Sequence, residues 1–360
     1  MKKSAGLLEI AKLANVSLGT VDRAIHNRGR IGEDTRERIL TVAKQLGYKP
    51  NLAARALSRG PNSISVAVCI PREIRYYFDQ LREGILDEAK HFEHLGLQAK
   101  YTAIERLGVG EAAALQASIE EKPQALIMVP GDTEGVTPLI NEAEKRNIRV
   151  VCIDSDAPLS RRTTAVCVDA EVGGRLAAEL LGRFVPPRSD VAVVTGDLHT
   201  EDHRRRVSGF TDLFQRICPD GQVVEVIEDH ESEEESFQKC CRMLEERKTI
   251  AGLYVSTANS LPVCRAVTTL NLSQKIKLIA SDLFLEMTPY FDMGVIAASI
   301  YARPFAQGRL AVRLIVEHLL YGRRIRSKYY VPPQVVTRST MHLFREARSL
   351  KRKGRDEGSE

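Results

Sequence analysis

Acidic, basic and aromatic side chains recur where apolar runs end in the second part of the chain. Asp132 follows the run QALIMVP after one glycine, Asp154 follows RVVCI, and Asp282 follows KLIAS. Arg206 lies a short loop beyond the run DVAVV, and Tyr77-Phe78 lie beyond SISVAVCI. Carboxylates and a guanidinium bind hydroxyl groups, and aromatic rings stack on C–H faces. This set therefore predicts a site for a polyhydroxylated small molecule.

Strand-like and helical patterns alternate through this part of the chain. Apolar runs such as SISVAVCI, QALIMVP, DVAVV and AGLYVS each precede a stretch with helical spacing. This order is typical of parallel sheets with crossover helices, and continuously apolar runs indicate strands covered on both faces. The number of units exceeds one ordinary sheet, so we expect two α/β subdomains with a boundary near 160–165. Ligands bind beyond the carboxyl ends of such strands, although acids there also often cap the next helix.

The N-terminal segment has a different pattern. The stretch LLEIAKLANVSLGTVDRAIHNR, at 7–28, predicts two short helices joined by a tight turn, and GEDTRERILTVAKQLGY predicts a third. Residues 1–60 hold 12 Lys/Arg and 5 Asp/Glu, a net charge of +7, whereas the other 300 residues sum to −2. A basic helical module joined to a near-neutral body is typical of a nucleic-acid-binding protein with a second task.

The second helix of this module carries the side chains that we expect to contact DNA. In a helix-turn-helix, the first turn of the second helix enters the major groove. Arg23 can pair with two acceptors on guanine, with a phosphate contact as the alternative. Leu18 can contact a thymine methyl group, whereas Gly19 has no side chain to use. The predicted contacts of the module are Ser17, Leu18, Gly19, Thr20, Arg23 and His26.

A short segment after the third helix is expected to touch the minor groove. Pro50 ends the third helix, and Asn51 caps a helix that runs to about Leu57. So short a helix is unstable in isolation, and its order therefore depends on its partners. Leu57 would be exposed unless it inserts between base steps, as the apolar wedges of minor-groove proteins do.

Residues 7–59 resemble the DNA-binding headpiece and hinge of the LacI/GalR family of bacterial transcription regulators. The matching stretches are EIAKLANVS, TVDRAIHN, TRERIL and LGYKPNLAARAL. The resemblance places Leu18, Gly19 and Arg23 at base-reading positions, and it implies minor-groove contacts from the hinge. With the cap residue, the predicted hinge contacts are Asn51, Ala54 and Leu57.

The body, at about 64–340, is similar to the type I periplasmic-binding-protein fold, which these regulators share with sugar-binding proteins. The similarity rests on MVPGD, VCIDSD, VDAEVGGRLAAELL, IASD and SIYARPFAQGRLAV. It implies stacking by the aromatic residues and hydrogen bonds from the polar ones. The arginine widens the expected effector to a sugar, sugar acid or sugar phosphate. The predicted ligand-binding residues are Tyr77, Phe78, Asp132, Asp154, Arg206, Asn259 and Asp282.

Two further patterns resemble cofactor or metal sites. The segment 108–113 matches the dinucleotide fingerprint G-x-G-x-x-A, but the run before it, QAKYTAIERL, is polar, so we expect no cofactor. His199 and His203 are four residues apart without a third ligand of suitable spacing, so we expect no metal. The chain has no G-x-S-x-G nucleophile elbow, and we expect no enzymatic activity.

The sequence shows no pattern of a membrane span or a signal peptide, and its C-terminal segment is polar. The sequence has no membrane-length apolar run, and the acidic Glu9 precedes any apolar core of signal-peptide length. We therefore expect a cytoplasmic protein without a membrane partner. The segment 341–360 is highly charged and lacks a core pattern, which predicts a disordered tail.

The sequence thus predicts an all-α helix-turn-helix headpiece plus hinge helix, followed by an α/β type I periplasmic-binding-protein-like core of two parallel-sheet subdomains. The expected domains are the headpiece at 1–50, the hinge helix and linker at 51–62, the core at 63–340 and the tail at 341–360. We expect a ligand-responsive transcriptional repressor that binds a pseudo-palindromic double-stranded DNA operator as a homodimer. A solute-binding protein without a transcriptional role is the alternative, which the basic headpiece disfavours.

The variant Leu57→Ala tests the predicted hinge. Because alanine is too small to hold two base steps apart, we expect reduced DNA bending and weaker specific binding, with unchanged affinity for the effector. Resonance energy transfer between the two ends of an operator duplex measures the bend. A wild-type bend angle in the variant would contradict the wedge.

Overall fold

A computed structural model describes residues 7–25, 31–46 and 64–341. The predicted tail beyond 341 lies outside these ranges. Four predicted DNA contacts also lie outside them: His26, Asn51, Ala54 and Leu57. Among the described helices, none has the length and apolar character needed to cross a membrane.

The headpiece contains three helices, as predicted. They are α1 (Leu7–Leu13), α2 (Leu18–Ile25) and α3 (Glu33–Gln45). Ile10, Val21 and Ile39, one from each helix, are fully buried and form its small core. The turn between α1 and α2 passes through Asn15, whose φ of 52° lies in the left-handed region that asparagine tolerates.

The first lobe of the core is a six-stranded parallel sheet with helices on both faces. Its strands are β1 (Ile64–Pro71), β2 (Leu97–Ile104), β3 (Ala125–Met128), β4 (Arg149–Asp154), β5 (Thr164–Cys167) and β11 (Lys328–Tyr330). Their order is β11-β5-β4-β3-β1-β2. The helices are α4 (Arg75–Phe92) and α12 (Pro304–Tyr321) on one face, and α5 (Glu111–Glu120) and α6 (Thr133–Lys145) on the other.

The second lobe repeats this architecture. Its strands are β6 (Asp190–Thr195), β7 (Gln222–Glu228), β8 (Ile250–Val255), β9 (Lys277–Ser281), β10 (Ile296–Tyr301) and β12 (Gln334–Val336). They are ordered β12-β10-β9-β8-β6-β7, and β12 alone in this sheet runs antiparallel. The helices are α7 (Ala170–Phe184) and α8 (Glu201–Ile217) on one face, and α9 (Glu233–Glu246), α10 (Ser260–Thr269) and α11 (Thr288–Asp292) on the other.

The predicted fold class is confirmed for the headpiece helices and the core, whereas the predicted hinge helix and linker at 51–62 lie outside the described residues. The border between the lobes is not a single point near 160–165. Strand β5 pairs with β4 and belongs to the first lobe, so the chain first crosses after Cys167. It returns after Tyr301 to form α12, and it crosses once more after Tyr330 to form β12. Hydrophobic patterns report that a strand exists but not which sheet it joins, and so the prediction was wrong here.

Strand β2 is an element that the sequence analysis did not assign. Its run LQAKYTAI is polar, and only its two end residues, Leu97 and Ile104, are buried. It lies at the edge of the first sheet, where it pairs with β1 alone. An edge strand can expose polar side chains because it is covered less completely than a central one.

Each lobe contains a close helix–helix contact that depends on glycine. A Cβ atom at Gly84 of α4 would lie 2.1 Å from the carbonyl oxygen of Phe305 at the start of α12. A Cβ atom at Gly174 of α7 would lie 2.0 Å from the carbonyl oxygen of Arg206 on α8. Both distances are too short for any side chain. The contact in the second lobe therefore fixes the position of α8 and of Arg206.

Two neighbouring glycines on α7 provide a matched test of this contact. We expect Gly174→Ala to destabilise the protein by about 2 kcal/mol, because the added methyl group must push α8 away. A Cβ atom at Gly173 meets no atom within 4 Å. Gly173→Ala should therefore be neutral or slightly stabilising through its better helix propensity. Urea unfolding of the two variants measures the difference, and equal effects would contradict the close contact.

Candidate ligand-binding cleft and DNA-contacting face

The carboxyl ends of the two sheets face a common cleft between the lobes. Its inner part is a narrow pocket lined by residues of both lobes. Five of the seven predicted ligand-binding residues line this pocket: Tyr77, Phe78, Asp154, Arg206 and Asp282.

Two aspartates occupy related places in the two lobes. Asp154 ends β4 with a φ of 69°, and Asp282 directly follows β9 with a φ of 65°. This left-handed conformation is costly for a residue with a Cβ atom, and it occurs where the surrounding structure enforces it. The Asp282 Oδ1 accepts a hydrogen bond from the Ala302 backbone N–H at 3.1 Å. The Asp154 Oδ1 accepts one from the hydroxyl group of Tyr77.

The two predicted stacking residues lie at the start of α4. Tyr77 and Phe78 are only 4% and 3% exposed, and their rings meet edge to face with centroids 5.1 Å apart. Both rings also belong to the hydrophobic core of the first lobe. Both rings are therefore largely covered by protein, and the small part that remains accessible lines the pocket.

Arg206 of α8 is the guanidinium of the inner pocket. Its Nη1 donates a hydrogen bond of 2.8 Å to the backbone carbonyl of Ser256. Burial alone would lower the pKa of this guanidinium, but nearby acids, with Asp154 foremost, raise it above its ordinary value. Arg206 therefore remains a fixed positive charge that faces carboxyl groups from both lobes.

Burial shifts the protonation of several acids in this pocket. It raises the pKa of Asp202 and that of Asp282 to about 7 each, although Arg206 opposes the shift in both. It raises the pKa of Glu231 to about 8, with a further increase from Glu73. Removal from water disfavours the charged form of a carboxyl group, and neighbouring acids add to the effect.

Three titratable residues of the pocket were not predicted as ligand contacts by the sequence analysis: Asp202, His203 and Glu231. Asp202 precedes Arg206 by four residues on α8, so a helical wheel would have placed them on one face. His203 is buried, which lowers its pKa to about 4, and its Nδ1 lies 3.1 Å from the Asp197 carbonyl oxygen. Glu231 follows β7 in a loop, and no sequence signal separates it from the neighbouring acids.

Two predicted ligand-binding residues lie outside the inner pocket. Asp132 is exposed and caps α6, since its Oδ1 accepts a 3.0 Å hydrogen bond from the Gly135 N–H. Asn259 is buried, and its Nδ2 donates to Asp229 Oδ2 at 2.9 Å. Asp132 thus has the capping role that competes with ligand binding at a strand end.

The apparent dinucleotide fingerprint has a different use in the fold. The carboxylate of Glu111 accepts hydrogen bonds from the backbone N–H groups of Gly108, Gly131 and Asp132 at 2.7 to 3.0 Å. Glu111 is only 2% exposed. Within the fingerprint, the N–H group of its first glycine is therefore bound to an internal carboxylate rather than free for a phosphate.

The histidine pair does not form a common site. The side chain of His199 is 97% exposed, whereas that of His203 is buried. Within the described ranges, no cluster of His, Cys, Asp and Glu side chains is arranged to hold a metal ion.

The exposed face of α2 carries the predicted DNA contacts that are described. Ser17, Leu18, Gly19 and Arg23 are exposed, and Thr20 is partly so. The Thr20 backbone N–H donates to Ser17 Oγ at 3.2 Å, so Ser17 caps α2. The Arg23 Nε donates to the Gly19 carbonyl oxygen at 3.1 Å, which draws the guanidinium toward the first turn of α2. The side chains of the first turn and of Arg23 therefore share one accessible surface.

The core belongs to a known class of two-lobed binding domains. Residues 66–323 match the periplasmic binding protein domain. The glucose-galactose binding protein GanP from Geobacillus stearothermophilus superposes with a TM-score of 0.70 at 26% identity, over 77% of this chain and 99% of GanP. A solute binding protein from Agrobacterium vitis, bound with α-D-tagatopyranose, has the same fold, with a TM-score of 0.71 at 19% identity over 77% and 96% of the two chains.

The N-terminal segment specifies the family. Residues 6–51 match the bacterial regulatory proteins of the lacI family. The transcriptional regulator DegA of Bacillus subtilis is 23% identical over 92% of this chain and 96% of its own. The repressor PurR of Aliivibrio salmonicida is 23% identical over 94% and 99%. The chain belongs to the lacI family of bacterial regulatory proteins, as the resemblance in its sequence predicted, and it is a ligand-responsive, DNA-binding regulator.

The raised pKa values predict how stability depends on pH. A carboxyl group with a folded-state pKa above its unfolded value binds more protons in the folded protein, so raising the pH through the folded pKa destabilises it. Asp202, Asp282 and Glu231 titrate at about 7 to 8. His203 contributes with the opposite sign, but mainly below its ordinary value of 6.5. We expect the free energy of unfolding to fall by about 2 kcal/mol between about pH 6.5 and pH 8.

Urea unfolding at several pH values without ligand measures this slope. The variant Asp202→Asn removes one titrating group and should make the decline shallower. A flat stability profile in the wild-type protein would contradict the raised pKa values.

Proposed function

We propose that this protein represses transcription as a homodimer on a pseudo-palindromic operator and that a sugar-like effector in the inner pocket controls its DNA affinity. The proposal assigns the cleft to binding and to no catalytic step, and it places the protein in the cytoplasm. It rests on one observation: an accessible helix-turn-helix face and a pocket lined by both lobes occur in the same chain. A solute-binding protein would need the pocket but not the basic headpiece.

The geometry of the pocket supports a sugar-like effector. Asp154 and Tyr77 come from the first lobe, while Arg206 and Asp282 come from the second. A ligand that contacts all four favours the arrangement in which the lobes are close. GanP is named for binding glucose and galactose, and polyhydroxylated ligands suit the same donor and acceptor types.

Control of DNA binding follows from this difference between arrangements. A ligand shifts the equilibrium between two states only by its difference in affinity for them. The lobes are joined by three chain crossings, so their relative movement is constrained to a hinge-like path. In a dimer, that movement changes the spacing of the two segments that lead to the headpieces, and with it the fit to two half-sites.

Selection from random duplex DNA by the full-length protein tests the proposal. We expect enrichment of a site with two inverted half-sites, whose protection depends on the effector. Sedimentation of the complex measures its stoichiometry. The absence of any enriched sequence would reject the regulatory function and leave a binding protein.

Substitution of Arg23 tests the DNA-contacting face. We expect Arg23→Ala to weaken binding to the selected operator by about 1–3 kcal/mol through loss of a paired contact with guanine. Arg23→Lys keeps the charge but not the planar fork, so it should lose almost as much. Fluorescence anisotropy at fixed salt measures both variants. Full rescue by lysine would assign Arg23 to a phosphate instead.

A further inference from the structure

The inner pocket has many more acidic than basic side chains. Four carboxyl groups line it, and among the described residues that do so Arg206 is the sole arginine or lysine. His203 does not restore the balance, because burial lowers its pKa to about 4 and leaves it neutral near pH 7. The carboxyl groups are those of Asp154, Asp202, Glu231 and Asp282.

The carboxyl groups differ in how well the protein satisfies them. Asp154 accepts from Tyr77, and Asp282 accepts from the backbone of Ala302. Asp202 is 6% exposed, and its Oδ2 is buried without a hydrogen-bond partner. The Oγ of Ser155, another residue of the pocket, is likewise buried without a partner. A buried carboxyl oxygen without a donor is costly, so Asp202 favours a ligand group that donates, whereas the Ser155 hydroxyl can donate or accept.

Most of the acidic side chains of the pocket come from the second lobe. Asp202 lies in the first turn of α8, and Glu231 follows β7, so both belong to the same lobe as Arg206. The negative charge of Glu73, in the first lobe, raises the pKa of Glu231 further. Arg206 already faces Asp154 and donates a hydrogen bond to Ser256, so it offsets the burial of Asp202 and Glu231 only in part.

The charge of the ligand decides whether binding offsets the cost of burying these carboxyl groups. An acidic or phosphorylated ligand would find one guanidinium and several carboxyl groups, and it would add like charge to a desolvated site. A neutral polyol can donate to the acids but does not favour their ionised forms. An ammonium group donates three hydrogen bonds, and its positive charge lowers the raised pKa values of the acids next to it, so that they ionise and pair with it.

We propose that the effector is a polyhydroxylated cation such as an amino sugar, with its ammonium group against Asp202 and Glu231 and its hydroxyl groups on Asp154, Arg206 and Asp282. This inference rests on the proposed function, because it names the chemical class of the ligand for the same pocket. It replaces the wider class of sugars, sugar acids and sugar phosphates that the arginine alone had suggested.

A panel of matched compounds tests the charge preference directly. For glucose, galactose and mannose, the panel contains the 6-amino-6-deoxy sugar, the parent sugar and the uronic acid, which differ only at C6. The 2-amino-2-deoxy sugars provide a second position for the amine. Thermal shifts and calorimetry on the full-length protein at pH 7 measure binding. A ligand at about 100 times its Kd adds roughly 2.7 kcal/mol of stability, which thermal shifts detect readily.

We expect at least one amine to bind about tenfold or more tighter than its parent, and each uronic acid to bind more weakly than its parent. Tighter binding of a uronic acid or of a sugar phosphate than of the matched amine would overturn the proposal. So would equal affinity for amine and parent in every series, or the absence of binding by every amine.

A pair of variants locates the preference. Asp202→Asn should reduce the advantage of the amine over its parent by about tenfold, while the free protein melts at or above the wild-type temperature because a desolvated acid is gone. Glu134→Gln removes the same charge from an exposed position at the outer mouth of the cleft. It should leave the preference unchanged. Equal losses in the two variants would contradict a specific role for Asp202.

The operator selected from random DNA separates the two proposals. If that operator is bound and then released or tightened by a neutral or acidic sugar, the regulatory function stands and the cationic effector is wrong. If no sequence is selected while an amino sugar binds, the pocket assignment stands and the regulatory function is wrong.

Discussion

The core of this protein is organised around carboxyl groups that are removed from water in the cleft between the two lobes. Asp154, Asp202, Asp282 and Glu231 all lie at or just beyond the ends of strands or the start of a helix, and burial raises the pKa of each. Arg206 opposes this shift in all four. Burying these groups without a partner destabilises the free protein, and a ligand that pairs with them removes that cost. Binding of the ligand therefore stabilises the core.

The rest of the core positions these groups rigidly. Left-handed backbone at Asp154 and Asp282 sets two carboxyl groups at related ends of β4 and β9. The contact between Gly174 and the backbone of Arg206 holds α8 against α7 and so fixes the backbone from which the guanidinium extends toward the acids. The two lobes thus line the pocket with equivalent strand ends but with unequal numbers of ionisable groups, since the second lobe supplies Asp202, Glu231 and Asp282 as well as Arg206.

Sequence patterns predicted several of the polar residues that line the pocket. Apolar runs followed by polar residues located Asp154, Arg206 and Asp282 correctly at one pocket, because the carboxyl ends of parallel strands meet at one edge. The same rule also selected Asp132, which caps α6 and lines the outer part of the cleft rather than the inner pocket. Capping and ligand binding use the same residue type at the same position, so sequence spacing alone does not distinguish them.

The sequence by itself determined the three helices of the headpiece, the α/β class of the core and the family, because local periodicity and continuous motifs carry that information. Only the tertiary structure decided that β2 is an edge strand, that the chain crosses between the lobes three times and that Asp202 and Glu231 join the pocket. These features depend on contacts between residues that are far apart in the chain, and on burial, which changes the chemistry of an acid without changing its sequence neighbours. The charge balance of the pocket is therefore a property of the fold.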